Sequence, residues 1–442
     1  MPFDTLTVGD LPAYTFPKSA SKIAIIGAGI TGMGAARMLA GTHDVTLFEA
    51  EKRLGGHART KMAGKNGDQP VDTGFIVYNE ANYPYMSALF KQLDVPVTPS
   101  RMSFGASMNG GAFEYALTSL DALFAQRGNA LSPAFLGMVR DILKFNKNAV
   151  RVALDESLTL REFLQVLGTG EWFRKYYLLP LSGAIWSTPT EKIMDFPAYA
   201  MVRFFQNHAL LGVTGQHQWY TVQGGSIEYV RRLEAVSRDR GADIRLGAPI
   251  QSVRRMAGKV FVRPWGGEEE MFDQVIFATH SDDSLKLLSD PTPQEQTALG
   301  AIAYQPNDVV LHADERIMPK RRKVWASWVY TEDRTALSDR IDLTYWMNSL
   351  QPIPMDDPHF VTLNTKRTIR EELIYDQVTL RHPVYDLGAL AAQKDVAEFN
   401  GTLNTWFCGA WMKNGFHEDG LSSAVDVVRA LRQRAVVRMA AE

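Results

Sequence analysis

The stretch Lys22–Glu49, KIAIIGAGITGMGAARMLAGTHDVTLFE, decides how the rest of the chain is read. Ile23, Ala24, Ile25 and Ile26 form a short apolar run that turns into Gly27, Ala28, Gly29, Ile30, Thr31 and Gly32, then into Ala-, Met- and Leu-rich helical sequence. That order predicts strand, tight turn, helix. Gly27 permits the turn, Gly29 lets backbone amides approach a pyrophosphate, and Gly32, with small Ala36 one turn on, holds helix against strand. A second strand, Val45 to Phe48, ends at Glu49, roughly twenty residues past the glycines, where a carboxylate accepts adenosine ribose hydroxyls and disfavours a 2′-phosphate. A lone glycine-rich turn marks only a corner; all five parts in register predict a dinucleotide-binding βαβ unit.

Beyond Glu49 and Ala50 runs a charged turn, Glu51, Lys52, Arg53 and Leu54, closing on Gly55, Gly56, His57, Ala58, Arg59 and Thr60. A nicotinamide site needs no such extension, whereas FAD must be enclosed along its length. Here the chain resembles the flavin amine-oxidase-like family, which includes monoamine and polyamine oxidases, protoporphyrinogen oxidase and phytoene desaturases. The family's signature after the ribose acid is R-x-G-G-R-x-x-[ST]. Arg53, Gly55, Gly56 and Thr60 match it, and His57 stands where arginine is usual, which leaves the pyrophosphate to His57 or to Arg59. The resemblance continues through Val71, Asp72, Thr73 and Gly74, the V-D-x-G strand returning to the flavin, and through Trp406 to Ala410, like the closing F-x-G strand with Gly409. It implies an α/β, amine-oxidase-like fold: a Rossmann-like FAD-binding domain of the GR2 type with an inserted α+β substrate domain, and FAD held non-covalently.

At 442 residues, 45% of them hydrophobic, the chain can bury a large core. A net charge of −2 gives no global attraction to nucleic acid or membrane. One cysteine, Cys408, excludes an internal disulfide and fits a cytoplasmic setting; beside a flavin strand it reads as a small buried hydrophobe or as a reactive thiol. The first 21 residues read as a leader without a signal pattern. No run approaches the ~18 apolar residues of a membrane span, so the expectation is a soluble protein or one peripheral at the inner face of a membrane. No metal is expected.

The pattern divides the chain into a discontinuous FAD-binding domain, residues 22–80, 216–290 and 400–442, and a substrate domain, 81–215 and 291–399. From Ala81 the sequence becomes aromatic and mostly helical, with Trp172, Phe173, Tyr176, Tyr177, Trp186, Phe204 and Phe205. Such density is either plain core or the wall of an apolar substrate chamber. Trp219 and Tyr220, before the turn Gln223 to Ser226, are expected to face that chamber with Trp186. In the family a comparable turn passes close to the flavin, and Val253 resembles the backbone segment that holds adenine. Asp273 to His280 reads as a buried strand ending at the cofactor crevice, with Ala278 at its tip and His280 as a titrating group or a cap. Strands are expected at Val309–Leu311, Val324–Tyr330, Thr344–Leu350 and His359–Asn364, with His382 to Val384 an extended corner. Lys320, Arg321, Arg322 and Lys323 read as a solvated turn or as a patch for anionic lipid headgroups.

The final segment has Gly415, Phe416, His417, Glu418, Asp419 and Gly420 before a helix expected from Leu421 to Val437. Its amides and positive dipole end point at whatever lies in front; the resemblance makes that the flavin edge near Gly420 and Leu421, with Phe416 by the ring. His417 and Glu418 are candidate proton acceptors, each with an alternative reading as a helix cap. Flavin dehydrogenation in the family sends a hydride to N5, and its amine oxidases carry a lysine near that atom. The corresponding stretch, Leu299 to His312, has none. DTGFIVYNE at Asp72–Glu80, WYTVQGGS at Trp219–Ser226 and GFHEDG at Gly415–Gly420 are similar to a bacterial branch that accompanies cyclopropane-synthase-like methyltransferases on the route to furan fatty acids. That similarity implies desaturation of a methyl-branched acyl chain on a phospholipid. Amine or polyamine oxidation, and a non-catalytic flavoprotein partner in lipid modification, remain as alternatives.

Overall fold

The opening stretch folds as its pattern requires. β1 (Lys22–Ile26), α1 (Ile30–Leu39) and β2 (Asp44–Phe48) form the βαβ unit of the computed structural model, which describes residues 21–155, 157–186, 193–212, 215–332 and 340–441. Apart from Ser21, the expected leader lies outside the described residues. β1 is central in a five-stranded parallel sheet, between β2 and the strand Gln274–Phe277; Asp243–Arg245 extends the β2 side and Thr405–Phe407 the other. A parallel sheet is covered on both faces, which is why β1 and β2 are continuous apolar runs. Ile23 and Ile25 pack with α1 and the C-terminal helix His417–Ala441. Ala24 and Ile26 face the antiparallel meander Ile250–Met256, Lys259–Pro264 and Glu270–Phe272.

The rest is built on a seven-stranded sheet, ordered Ile374–Val384, Ala303–His312, Phe360–Leu363, Asp342–Trp346, Trp328–Glu332, Phe104–Met108, Phe113–Ala116. Its one parallel pairing among the described strands, Phe104–Met108 with Trp328–Glu332, joins the two insertions into a single lobe. Helices Pro133–Val152, Leu160–Leu167 and Ala198–Asn207 cover it, contributing Phe135, Phe145, Phe163 and Phe205 to a fully buried aromatic core.

Four local expectations are corrected. Val324–Tyr330 is a strand only from Trp328, and Val324 closes a helical turn. Thr344–Leu350 is not one strand: the strand ends at Trp346 and Met347–Leu350 is a helical turn. His382 and Pro383 are not a corner but lie inside an eleven-residue strand paired with Ala303–His312; Pro383 is tolerated because that strand is the sheet's edge. The last helix starts at His417, four residues early, because Asp419 accepts the backbone N–H of Phe416 at 2.9 Å and caps it from within.

Candidate flavin and substrate site

The parallel strands end along one edge, and the loops that leave them converge there. Gly27 has φ +98°, and a Cβ on it would lie 2.9 Å from the carbonyl oxygen of Ala278. A Cβ on Gly32 would lie 1.9 Å from the carbonyl oxygen of Gly27, so helix and turn touch through backbone. Gly29 is different: a Cβ there meets nothing within 4 Å. It is the N-cap of α1, no side chain caps it and the first turn carries no acid, so the space beside Gly29 is open with the positive end of the helix behind it. Gly55 N–H donates to the Ala28 carbonyl at 2.9 Å, which lays the second glycine pair over the first; a Cβ on Gly56 would approach Gly29 Cα to 3.1 Å. Gly420, in the first turn of the C-terminal helix, has the same closeness to α1, its Cβ position 2.6 Å from Thr31 Oγ1. Two helix N-termini and two glycine turns therefore share one crevice, a donor set that suits a pyrophosphate.

Glu49 sits at the crevice rim. Its Oε2 accepts Ala28 N–H at 2.7 Å and its Oε1 accepts Glu51 N–H at 2.9 Å, across exposed Ala50; a carboxylate has about four acceptor positions, so both oxygens can still take a hydroxyl. Arg53 wraps its own turn, donating to the carbonyls of Ala58 at 3.2 Å and Gly56 at 2.8 Å. Arg59 is spent on a bidentate pair with Asp376 of the sheet-edge strand. Of the two candidates for the missing arginine, His57 is thus the one outside an ion pair, and its ring is held by the Arg381 backbone carbonyl. Its ring lies 5.9 Å from that of His280 and 5.4 Å from that of His382. Burial holds all three below the ordinary histidine range, His280 and His382 at about 3. His280 also stacks on Tyr304 at 4.4 Å. The sequence offered His57 as a signature departure but gave no sign of His382, which arrives from a strand more than 300 residues away.

Other expected contacts turn out to be structural clamps. Asp72 is buried with both oxygens occupied, by Thr60 Oγ1 at 2.6 Å, Ser226 N–H at 2.9 Å, Ser226 Oγ at 2.7 Å and Gln351 Nε2 at 2.9 Å; burial raises its carboxyl to about 6. It ties the flavin loop, the Gly224–Gly225 turn and the substrate lobe together, so Asp72 does not itself face the crevice. Thr73 N–H donates to the Arg59 carbonyl, and Gly74 is obligatory because a Cβ would meet the His57 carbonyl at 1.9 Å. Val253 is fully buried and its carbonyl accepts both donors of Ser289. Leu421 packs into the space left by Gly34, not into the crevice.

At the C-terminal helix, Glu418 accepts Tyr85 N–H and Met86 N–H, both at 2.8 Å, capping α2 (Pro84–Gln92). Burial pushes its carboxyl up to about 8 against the pull of those amides. The expectation of a free base is corrected in favour of the cap: each oxygen is already aimed at the helix start. His417 stacks on Phe75 with centroids 4.1 Å apart and shares a 2.7 Å hydrogen bond with Tyr229 through Nε2; burial lowers it to about 3, which keeps it neutral and a weak acceptor. Phe416 points the other way, stacked on Phe204 at 5.2 Å. Phe204 stacks on His208 at 3.8 Å, which in turn lies 6.3 Å from Trp219. Trp219 also lies 6.4 Å from Tyr83, and Tyr220, on the opposite side of the same strand, lies 5.9 Å from Tyr78. Trp186, half-buried, ends the helix Leu179–Trp186. Each charge of the run Lys320–Lys323 has a local partner: Gly110 carbonyl, Glu114, Glu315 and Asp121 in turn, with Arg322 also over Trp325 at 3.5 Å.

Residues 30–363 match the family described as flavin containing amine oxidoreductase. The chain belongs to that family. This flavoenzyme is an FAD-dependent oxidoreductase, with the glycine crevice as the place that fits its cofactor. It is similar to a protein provisionally named protoporphyrinogen oxidase from Exiguobacterium sp. 255-15, at 17% identity and TM-score 0.68 over 95% of this chain and 100% of that one. It is also similar to a conjugated-linoleic-acid-producing fatty acid isomerase from P. acnes (15%, TM-score 0.66, 94% and 99%) and to cyclohexylamine oxidase from Brevibacterium oxydans IH-35A (14%, TM-score 0.62, 94% and 99%). At these identities the likeness is one of fold. No curated protein matches the flavoenzyme's sequence. Among the described residues no helix is long and apolar enough to cross a membrane.

Proposed function

We propose that this flavoenzyme dehydrogenates an apolar acyl chain, a methyl-branched unsaturated fatty acyl group of a phospholipid, to a more unsaturated product. The observation that carries the reading is the stack of Phe416, Phe204, His208 and Trp219 where the C-terminal segment meets the helical lobe. It is aromatic and uncharged: burial lowers His208 to about 4 and its Nδ1 is bonded to the Phe204 carbonyl at 3.0 Å. Such a wall recognises hydrocarbon by contact area and offers an ammonium group no carboxylate.

FAD, when bound, would supply the acceptor for the electron pair that leaves with one hydrogen; the second hydrogen would leave as a proton, for which the neutral imidazole of His417 is the acceptor retained beside the crevice. The protein's share is alignment and exclusion of water. Its ionisable groups near the crevice are held neutral or bonded, as His417, Glu418 and Asp72 show. The likeness to a fatty acid isomerase supports an acyl guest, while the likeness to cyclohexylamine oxidase supports an amine; strand Ala303–His312, which has no lysine, favours the former. The test is anaerobic titration of the yellow holoenzyme. Bleaching by a methyl-branched, unsaturated acyl phospholipid but not by primary amines is expected, and the converse overturns the reading.

A further inference from the structure

The helix Pro133–Val152 has two apolar sides. One is accounted for: Phe135, Met138, Phe145 and Ala149 are fully buried in the lobe core. The other faces solvent. Leu136, Leu143 and Val150 recur every seven residues on a single stripe and are 45%, 55% and 37% exposed. Leu131 just before the helix and Leu154 just after it are also exposed, at 87% and 74%. Exposed apolar residues are common singly, but three in line on one helix face, with two more exposed leucines at its ends, mark a contact surface.

The charges beside the stripe are of one sign. Arg140 and Lys147 lie between its apolar residues, with Lys144 and Arg151 alongside. Lys147 and Arg151 have no carboxylate partner among the described residues, and Arg140 reaches only Asp141, at 3.4 Å. Asp141, the helix's single acid, is buried and accepts Gly170 N–H at 2.7 Å, so it does not neutralise the outer face. Among the described residues the next acids along the chain turn back on their own loops: Asp155 accepts Ser157, and Glu162 accepts Thr159. A continuous cationic and apolar stripe suits a surface that presents phosphates over hydrocarbon. A second copy of this chain suits it poorly, because a two-fold contact sets the same patch against itself and here opposes cation to cation.

We propose that this outer helix face docks on an anionic phospholipid bilayer, with Leu136, Leu143 and Val150 entering the headgroup boundary and Arg140, Lys147 and Arg151 meeting lipid phosphates. The docked helix carries Phe145, which packs on Phe205 at 5.9 Å, next to Phe204 of the aromatic stack. Docking therefore sets the lobe that bears the stack against the membrane.

The experiment is flotation of the purified, full-length flavoenzyme with vesicles of phosphatidylcholine alone or with about a third phosphatidylglycerol. Binding is expected to the anionic vesicles and to fall with salt. Lys147→Gln is expected to weaken it about fivefold, from the ~1 kcal/mol that each basic residue contributes near such a surface. Leu143→Ser is expected to weaken it about tenfold. Both positions are exposed, so both variants keep the wild-type melting temperature. No anionic binding, or binding that neither substitution changes, overturns the proposal. So does light scattering that shows a dimer which Leu143→Ser dissociates. The readout is separate from turnover: vesicle binding without lipid oxidation keeps the docking face and removes the acyl reading, and oxidation of detergent-dispersed lipid without vesicle binding does the reverse.

Discussion

Gly29 and Gly32 stand three residues apart in one motif, yet the structure gives them separable jobs, and alanine at each position tests that separation. At Gly32 the added carbon would lie 1.9 Å from the Gly27 carbonyl oxygen, where side-chain carbons essentially never come within 3.0 Å, so α1 must retreat from the turn by about an ångström. Overpacking against backbone costs ~3 kcal/mol, or roughly 3 °C in melting temperature for a chain of this length. At Gly29 the added carbon meets nothing within 4 Å, and φ −71°, ψ −177° is an ordinary conformation for alanine. Flavin-stripped Gly29→Ala is therefore expected to be as stable as the parent or more so by ~0.4–1 kcal/mol, since alanine restricts the unfolded chain. Its methyl nevertheless fills the open space beside Gly29 at the positive end of α1, and FAD affinity is expected to fall about tenfold, ~1.4 kcal/mol. Thermal unfolding of the apoprotein and quenching of flavin fluorescence on reconstitution read the two effects independently. Equal destabilisation by both substitutions, or undiminished FAD affinity in Gly29→Ala, would refute the assignment of that space to the pyrophosphate.

Asp72→Asn replaces an acceptor-only group with one that must point an amine at the Ser226 or Gln351 donors; a loss of ~2–4 kcal/mol in chemical denaturation is expected, and less than ~1 would show the clamp to be dispensable. Five desolvated histidines, fully buried His312 and half-buried His208 at about 4 and half-buried His280, His382 and His417 at about 3, lie below their unfolded value of 6.5. A depressed histidine contributes stability above the unfolded value and loses it as pH falls through 6.5 toward the folded one, by ~1.4 kcal/mol per pH unit for each group. Urea unfolding of the apoprotein at pH 7 and pH 5 is expected to show that slope, and His417→Gln to lower it by about one proton; an unchanged slope counts against a neutral, desolvated His417. Cys408 is buried and its thiol is pushed far above the usual range, so a thiol reagent is expected to label it only at the rate of unfolding, and rapid labelling of the folded enzyme would contradict its place behind the Phe277 carbonyl.

The legible part of this protein lies within short spans of chain. Strand, glycine turn, helix, second strand and Glu49 need fewer than thirty residues, and each depends on a local rule: a left-handed φ at Gly27, a backbone contact at Gly32, an acid at the end of a parallel strand. For that reason the α/β fold, the flavin and the crevice were readable from residue types alone. Tertiary structure decided which polar groups are still free. Glu418 reads as a base in sequence and becomes a cap because α2, 333 residues earlier, brings its unpaired amides there. Asp72 becomes a clamp because Gln351 reaches it from the other lobe, and Arg59 is withdrawn from the crevice by Asp376. A carboxylate or guanidinium has the same chemistry in any sequence; its availability depends on which long-range donor or acceptor satisfies it first, and burial makes that satisfaction compulsory.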